Sequence, residues 1–177
     1  MTIDTSGRTP EWVTAIGAAI FVFILFISAV FEADIRWLHF FQAMMYVVAV
    51  WPTFRRNVWG YLIGISAAAF WDYVNLFVNN FLMSGIHHLW TSIETGKLSH
   101  PDQIFAVPAW LGNLLVVIGC FWAYRRYGRP VRQDIARFVL AFALMAAFFA
   151  ADMWLFQPRY LVLFARALHP HWPRSGQ

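Results

Sequence analysis

Long runs of apolar residues, broken by short polar connectors, set the rhythm of the chain. The runs cover residues 13–31, 37–54, 58–82, 104–124 and 138–156. A helix needs roughly 20 mostly apolar residues to cross about 30 Å of hydrocarbon, and each run is close to that length. Polar and apolar residues do not alternate at period two, so a barrel is not indicated. Lipid cannot satisfy open backbone groups, which leaves helices. The pattern therefore predicts an all-α, polytopic integral membrane protein, a bundle of about five transmembrane helices forming one domain over 1–177. The first run is uncharged and longer than the roughly 7–15-residue core of a secretory leader. Its leader is mixed in charge (Asp4, Arg8, Glu11), so it reads as a retained span.

Connector lengths and charges predict the topology. Spans two and three are joined by Arg55-Arg56-Asn57, and spans four and five by a segment with Arg125, Arg126, Arg129 and Arg132. Basic residues concentrate on the cytoplasmic side. These inner loops are short, so the amino terminus is expected inside and the carboxyl terminus outside an inner (plasma) membrane. Arg159, Arg166 and Arg174 on the outer tail run against that rule. Trp12, Trp37, Trp51, Trp59, Trp110, Trp122 and Trp154 fall near the span ends, as an aromatic belt does. The outer connector 83–103 is longer, and its Ile86-His87-His88-Leu89-Trp90 stretch suggests a short interfacial helix. The tail 157–177 is expected at the interface for part of its length.

Composition sharpens the class. Hydrophobic residues make up 60% and charged residues 12% of the chain, against about 45–50% and about 25% in soluble domains. The net charge of +4 resides largely in connectors and tails, so it marks topology and not nucleic-acid binding. Cys120 is the single cysteine, which excludes an intrachain disulfide. No phosphate-binding glycine loop, Gly-x-Ser-x-Gly or His-Glu-x-x-His is present, and no cofactor is indicated.

The candidate chemistry lies in the few polar residues inside the spans. At about 1.5 Å rise per residue, Asp72 lies roughly 21 Å from the inner end of its span. Asp152 lies roughly 21 Å along span five by the same rise. Gln42 lies about 8 Å below the outer end of span two, and Asn113 sits somewhat deeper in span four. Asp72, Asn75 and Asn79 stand at i, i+3 and i+7, which predicts a shared helical face. A carboxylate in hydrocarbon seeks partners or a wet cavity. Gln42, Asp72, Asn75, Asn113 and Asp152 are thus the expected lining of an outer-facing pocket, with Asp72 the leading acid. The alternative is structural. Asp72 and Gln42 then bond other helices as packing contacts, and Asp152 is a solvated end residue.

Two further groups carry a structural and a functional reading. His87, His88, His100 and Asp102 are of metal-ligand type, but their spacing matches no standard zinc motif. Histidines wetted by headgroups explain them as well, and His169 and His171 read as surface residues. Gly60 and Gly64 form Gly-x-x-x-Gly, which allows close helix approach within the chain or between two copies.

From Glu32 to Arg126 the order of features resembles the emopamil-binding, sterol-isomerase-like membrane proteins. The features are Val30-Phe31-Glu32, Gln42 ahead of Trp51-Pro52, Trp71-Asp72, Ser99-His100-Pro101 and Asn113. The resemblance covers about half the chain. It implies a small helical bundle with an acid-lined pocket for a hydrophobic amine-like or sterol-like ligand. The family's second acid falls on Gln42 and a family histidine on Ser28, neither of which shuttles protons as those groups do, so isomerase activity is not implied.

Three functions follow as expectations. The first is an outer polar pocket that binds a small hydrophobic or lipid-like ligand, with enzymatic turnover left open. The second is an accessory subunit among other membrane proteins. The third is a small transporter or channel acting as a homo-oligomer.

Overall fold

The computed structural model describes residues 7–98, 100–128 and 131–168. Ser99, Arg129, His169, His171 and Arg174 lie outside that set, as does the tail beyond residue 168. Every regular element among the described residues is helical. In chain order these are α1 (Thr9–Phe31), a 3-10 turn (Ala33–Ile35), α2 (Arg36–Phe54) and α3 (Val58–Tyr73). A π-helical turn (Val74–Val78) follows, then α4 (Phe81–Thr95), α5 (Pro101–Ile104), α6 (Ala106–Tyr127), α7 (Gln133–Phe156) and α8 (Pro158–Leu168).

Local chemistry sets several of these boundaries. Pro10 sits in the first turn of α1, where its missing N–H is harmless. Asn57 caps α3 by accepting from Trp59 N at 2.9 Å. Gly96 ends α4 in the left-handed region at φ 66°. Pro52 lies inside α2 only three residues before Arg55, at a point where the helix is ending.

Among the described residues four helices are long and apolar enough to span a membrane: Thr9–Phe31, Val58–Val78, Pro101–Tyr127 and Gln133–Phe156. The fifth expected span, α2, is 19 residues long but is diluted by His39 and Gln42. Its faces explain why. Trp37, Val47, Val48 and Trp51 are exposed, while Gln42, Tyr46 and Thr53 are buried. That is the reverse of a soluble helix and the arrangement lipid demands. The whole bundle repeats it, with Glu11, Thr14, Ser66, Asn113 and Asp152 inside and rows of Phe, Leu and Ile outside.

The connectors gather at two ends. At one, Arg56 pairs with Glu11 at 3.3 Å and lies over the Tyr127 ring at 4.3 Å. Tyr127 donates to the Gly7 carbonyl, which brings the chain start to the same place. The basic connectors therefore share one end with the amino-terminal segment. At the other end, Gln157 donates to the Asp34 carbonyl at 2.9 Å, and Phe31 meets Phe105 at 5.4 Å. Between these ends α1, α2, α3, α6 and α7 each run the length of the bundle.

Close approach relies on glycine. A Cβ on Gly17 would stand 2.6 Å from Gly112 O, which holds α1 and α6 together near van der Waals contact. Gly60 faces Pro52 and Thr53 of α2, and a Cβ on Gly64 would stand 2.6 Å from Cys120 Sγ of α6. The Gly-x-x-x-Gly face is thus occupied within the chain.

Two sequence boundaries move. The third span does not continue to residue 82. It ends in the π turn, and Asn80 at φ 54° starts a separate helix. Asparagine tolerates that left-handed conformation better than most residues. The outer connector is also more helical than expected, since α4 extends well beyond residues 86–90.

Candidate functional site

At the Glu32 end of the bundle, where α1, α2, α3, α6 and α7 diverge, a cavity of about 90 Å³ lies between them. Its polar lining consists of Ser28, Glu32, His39, Gln42, Asn75, Asn79 and Asp102. Its apolar wall includes Phe70, Trp71, Phe105, Phe149, Met153 and Tyr160.

The π turn shapes one side. Such a turn widens the helix and is frequent at functional sites. Asn75 donates to Trp71 O at 2.9 Å, and Asn79 donates to Asn75 Oδ1 at 3.4 Å. Asn79 Oδ1 in turn accepts from Phe81 N at 3.0 Å, which ties the amide row to the start of α4. Opposite, His39 Nδ1 lies 3.1 Å from Leu25 O, which fixes the ring orientation. Gln42 is 7% exposed, and its amide has no hydrogen-bond partner among the described residues. The Ser28 hydroxyl and the Glu32 and Asp102 carboxyls likewise have no such partner among the described residues.

The cavity is acidic in character. Glu32 is raised above the ordinary glutamate value, first by burial and then by Asp34 and Asp102, while Arg159 opposes the shift. Arg159 is engaged at 3.0 Å with Asp34. Tyr160 is also raised, chiefly by burial.

The five expected lining residues separate. Gln42 and Asn75 line the cavity. Asp72 and Asn113 are instead joined across α3 and α6, with Asn113 Nδ2 donating to Asp72 Oδ1 at 3.2 Å. Tyr46 OH of α2 donates to Asn113 Oδ1 at 2.6 Å, so one amide ties three helices. Asp72 stands about 100° around the helix from Trp71 and is turned toward α6. Trp71, Val74 and Asn75 form the cavity face instead. Asp152 is 3% exposed, and neither carboxylate oxygen has a partner among the described residues. It sits beside the lining residue Met153 without lining the cavity itself.

The metal candidates cluster only loosely. The rings of His88 and His100 lie 4.5 Å apart, and those of His87 and His88 5.6 Å. Asp102 belongs to the cavity lining. Among the described residues no group of three or more ligand-type side chains is placed to hold a metal ion.

Sequence reasoning missed Glu32, Ser28, His39 and Asp102 as lining residues, while Asn79 lies on the face it shares with Asn75. Glu32 and Asp102 lie in or beside connectors, where charge reads as ordinary solvation. Comparison with known protein families, with characterised proteins and with solved structures yields no match.

Proposed function

We propose that this chain is a five-span protein of the inner (plasma) membrane, with its amino terminus in the cytoplasm. Its cavity then faces outward and binds a small hydrophobic or lipid-like ligand. The observation that carries this reading is one cavity in which the half-buried Ser28, Glu32 and Asp102 and the buried Gln42 stand beside an aromatic wall. A ligand's polar head would hydrogen-bond to these groups in place of solvent. Phe70, Trp71, Phe105 and Phe149 would hold its apolar part. The carboxyls favour a head that is cationic or donates hydrogen bonds. At about 90 Å³ the cavity takes a headgroup or a small ring, with any longer tail passing toward lipid.

Basic connectors at the Arg56 end support the cytoplasmic assignment of that end. Asp72 and Asn113 serve this site by holding α2, α3 and α6 in register.

The test uses N,N-dimethyldodecylamine and dodecanol as probes on protein in mild detergent. Native mass spectrometry and thermal stabilisation should report the amine bound more tightly than the alcohol. Glu32→Gln should reduce that preference, and Gln42→Leu should weaken both probes. Equal, unsaturable uptake by wild type and both variants would refute the site. A stable single-chain particle that binds the amine would also count against the accessory-subunit reading and against transport by a homo-oligomer.

A further inference from the structure

Helix α4 presents three distinct sectors, and only one is used by the protein. At about 100° per residue, Gly85, His88 and Ser92 share one side. That side meets the α5–α6 junction, since a Cβ on Gly85 would collide with Gln103 O and lie 3.5 Å from Ala106 Cβ. His88 also faces His100, with ring centroids 4.5 Å apart. A second sector carries Met83, Ile86, Leu89, Trp90 and Ile93, all exposed, with Trp90 at 62% and Ile93 at 67%. The third carries His87, Thr91, Glu94 and Thr95. The two outward sectors are therefore opposite in polarity and lie side by side along four turns of helix.

Connectivity fixes where this helix sits. Two residues separate it from the π turn that ends the third bundle helix, and it leads back to α5 and α6 at the same end. Both of its ends are thus tied to the rim of the bundle. Its 15 residues with His87, His88 and Glu94 are too short and too polar to cross. Exposed apolar side chains flank this helix as well, with Phe77 in the π turn before it and Leu98 after it.

We propose that α4 lies in the plane of the outer membrane interface, with its Met83–Ile86–Trp90–Ile93 edge in the acyl chains and its His87–Thr91–Thr95 edge in water. A helix with one apolar and one polar face takes that position at a bilayer, and tryptophan favours the same level. Phe81, the first residue of α4, lines the cavity. The helix therefore sets the cavity mouth at headgroup depth. The proposal does not depend on what the cavity binds.

Single cysteines test it. Cys120 is buried and serves as the low-labelling background. Ile86→Cys, Trp90→Cys and Ile93→Cys are compared with His87→Cys, Thr91→Cys and Thr95→Cys. Each carries a bimane label in phosphatidylcholine–phosphatidylglycerol vesicles. Lipid-bound spin labels should quench positions 86, 90 and 93 at least twofold more than positions 87, 91 and 95, and aqueous iodide should show the reverse order. Equal iodide quenching at all six sites would overturn the proposal in favour of a helix standing in water. Shielding of 86, 90 and 93 from both quenchers would overturn it in favour of a protein partner. The six positions are exposed or partly exposed, and a wild-type circular dichroism spectrum and elution volume are required of each variant. If Trp90→Cys fails them, the 86/93 and 87/91/95 sets preserve the contrast.

Discussion

Asn113 is the single side chain on which three helices depend, and its removal has a size that can be worked out. It is fully buried, receives Tyr46 OH at 2.6 Å and donates to Asp72 at 3.2 Å. In membranes an interhelical hydrogen bond contributes about 0.6 kcal/mol on average and about 1.7 at most. A buried polar group left without a partner costs about 1–3 kcal/mol. Asn113→Ala strands both Tyr46 OH and Asp72 Oδ1, so the loss should be about 2–6 kcal/mol, led by the stranded groups. Tyr46→Phe removes the donor along with its hydroxyl and strands only one acceptor, so about 1–3 kcal/mol is expected. The double variant should lose less than the sum by at least about 0.6–1.7 kcal/mol of direct coupling, and by more where the singles strand Tyr46 OH and Asn113 Oδ1, since neither group remains stranded in the double. Reversible SDS unfolding of the four proteins, followed by circular dichroism, completes the cycle. Distant, independent sites add within about 0.3–0.5 kcal/mol, so additivity within that margin would refute the network.

Three further outcomes are expected. Gly17→Ala should destabilise by about 1–3 kcal/mol, as overpacking does, because its Cβ would meet Gly112 O at 2.6 Å; SDS unfolding measures it. Asp152→Leu should stabilise by about 1–3 kcal/mol, the cost of unpaired burial, and a loss in the same assay would reveal a partner for its carboxylate. Glu32 binds its proton more tightly in the folded protein than in the unfolded chain, where a glutamate titrates near about 4.3. Stability should therefore fall as pH rises from that value through the raised one. Melting temperature against pH should show this slope in wild type and a flatter profile in Glu32→Gln.

Four of the five expected spans recur as helices long and apolar enough to cross a membrane, because lipid imposes a length and an apolar surface on each span. The run from residue 58 to 82 misled because apolar content continues past Asn79, while the break depends on the backbone conformation of Asn80. Depth along a helix is legible in sequence, and Gln42 and Asn75, expected near one level, both line the cavity. Rotation about the helix axis decided the rest. Asp72 is turned toward α6, and which neighbour lies there is a property of packing that no single helix encodes. The glycines were ambiguous for the same reason, since Gly60 and Gly64 pair with Pro52 and Cys120 only once α2 and α6 are in place.

Access to Gln42 gives the most direct test of an outward-facing polar cavity. Gln42→Cys in intact cells is exposed from outside to membrane-impermeant methanethiosulfonates, one cationic and one anionic. The cationic reagent should react, faster than the anionic one because Glu32 and Asp102 line the same space, and N,N-dimethyldodecylamine should slow it. A thiol at residue 42 that stays unreactive from outside, or that reacts only from the cytoplasmic side, would contradict the account.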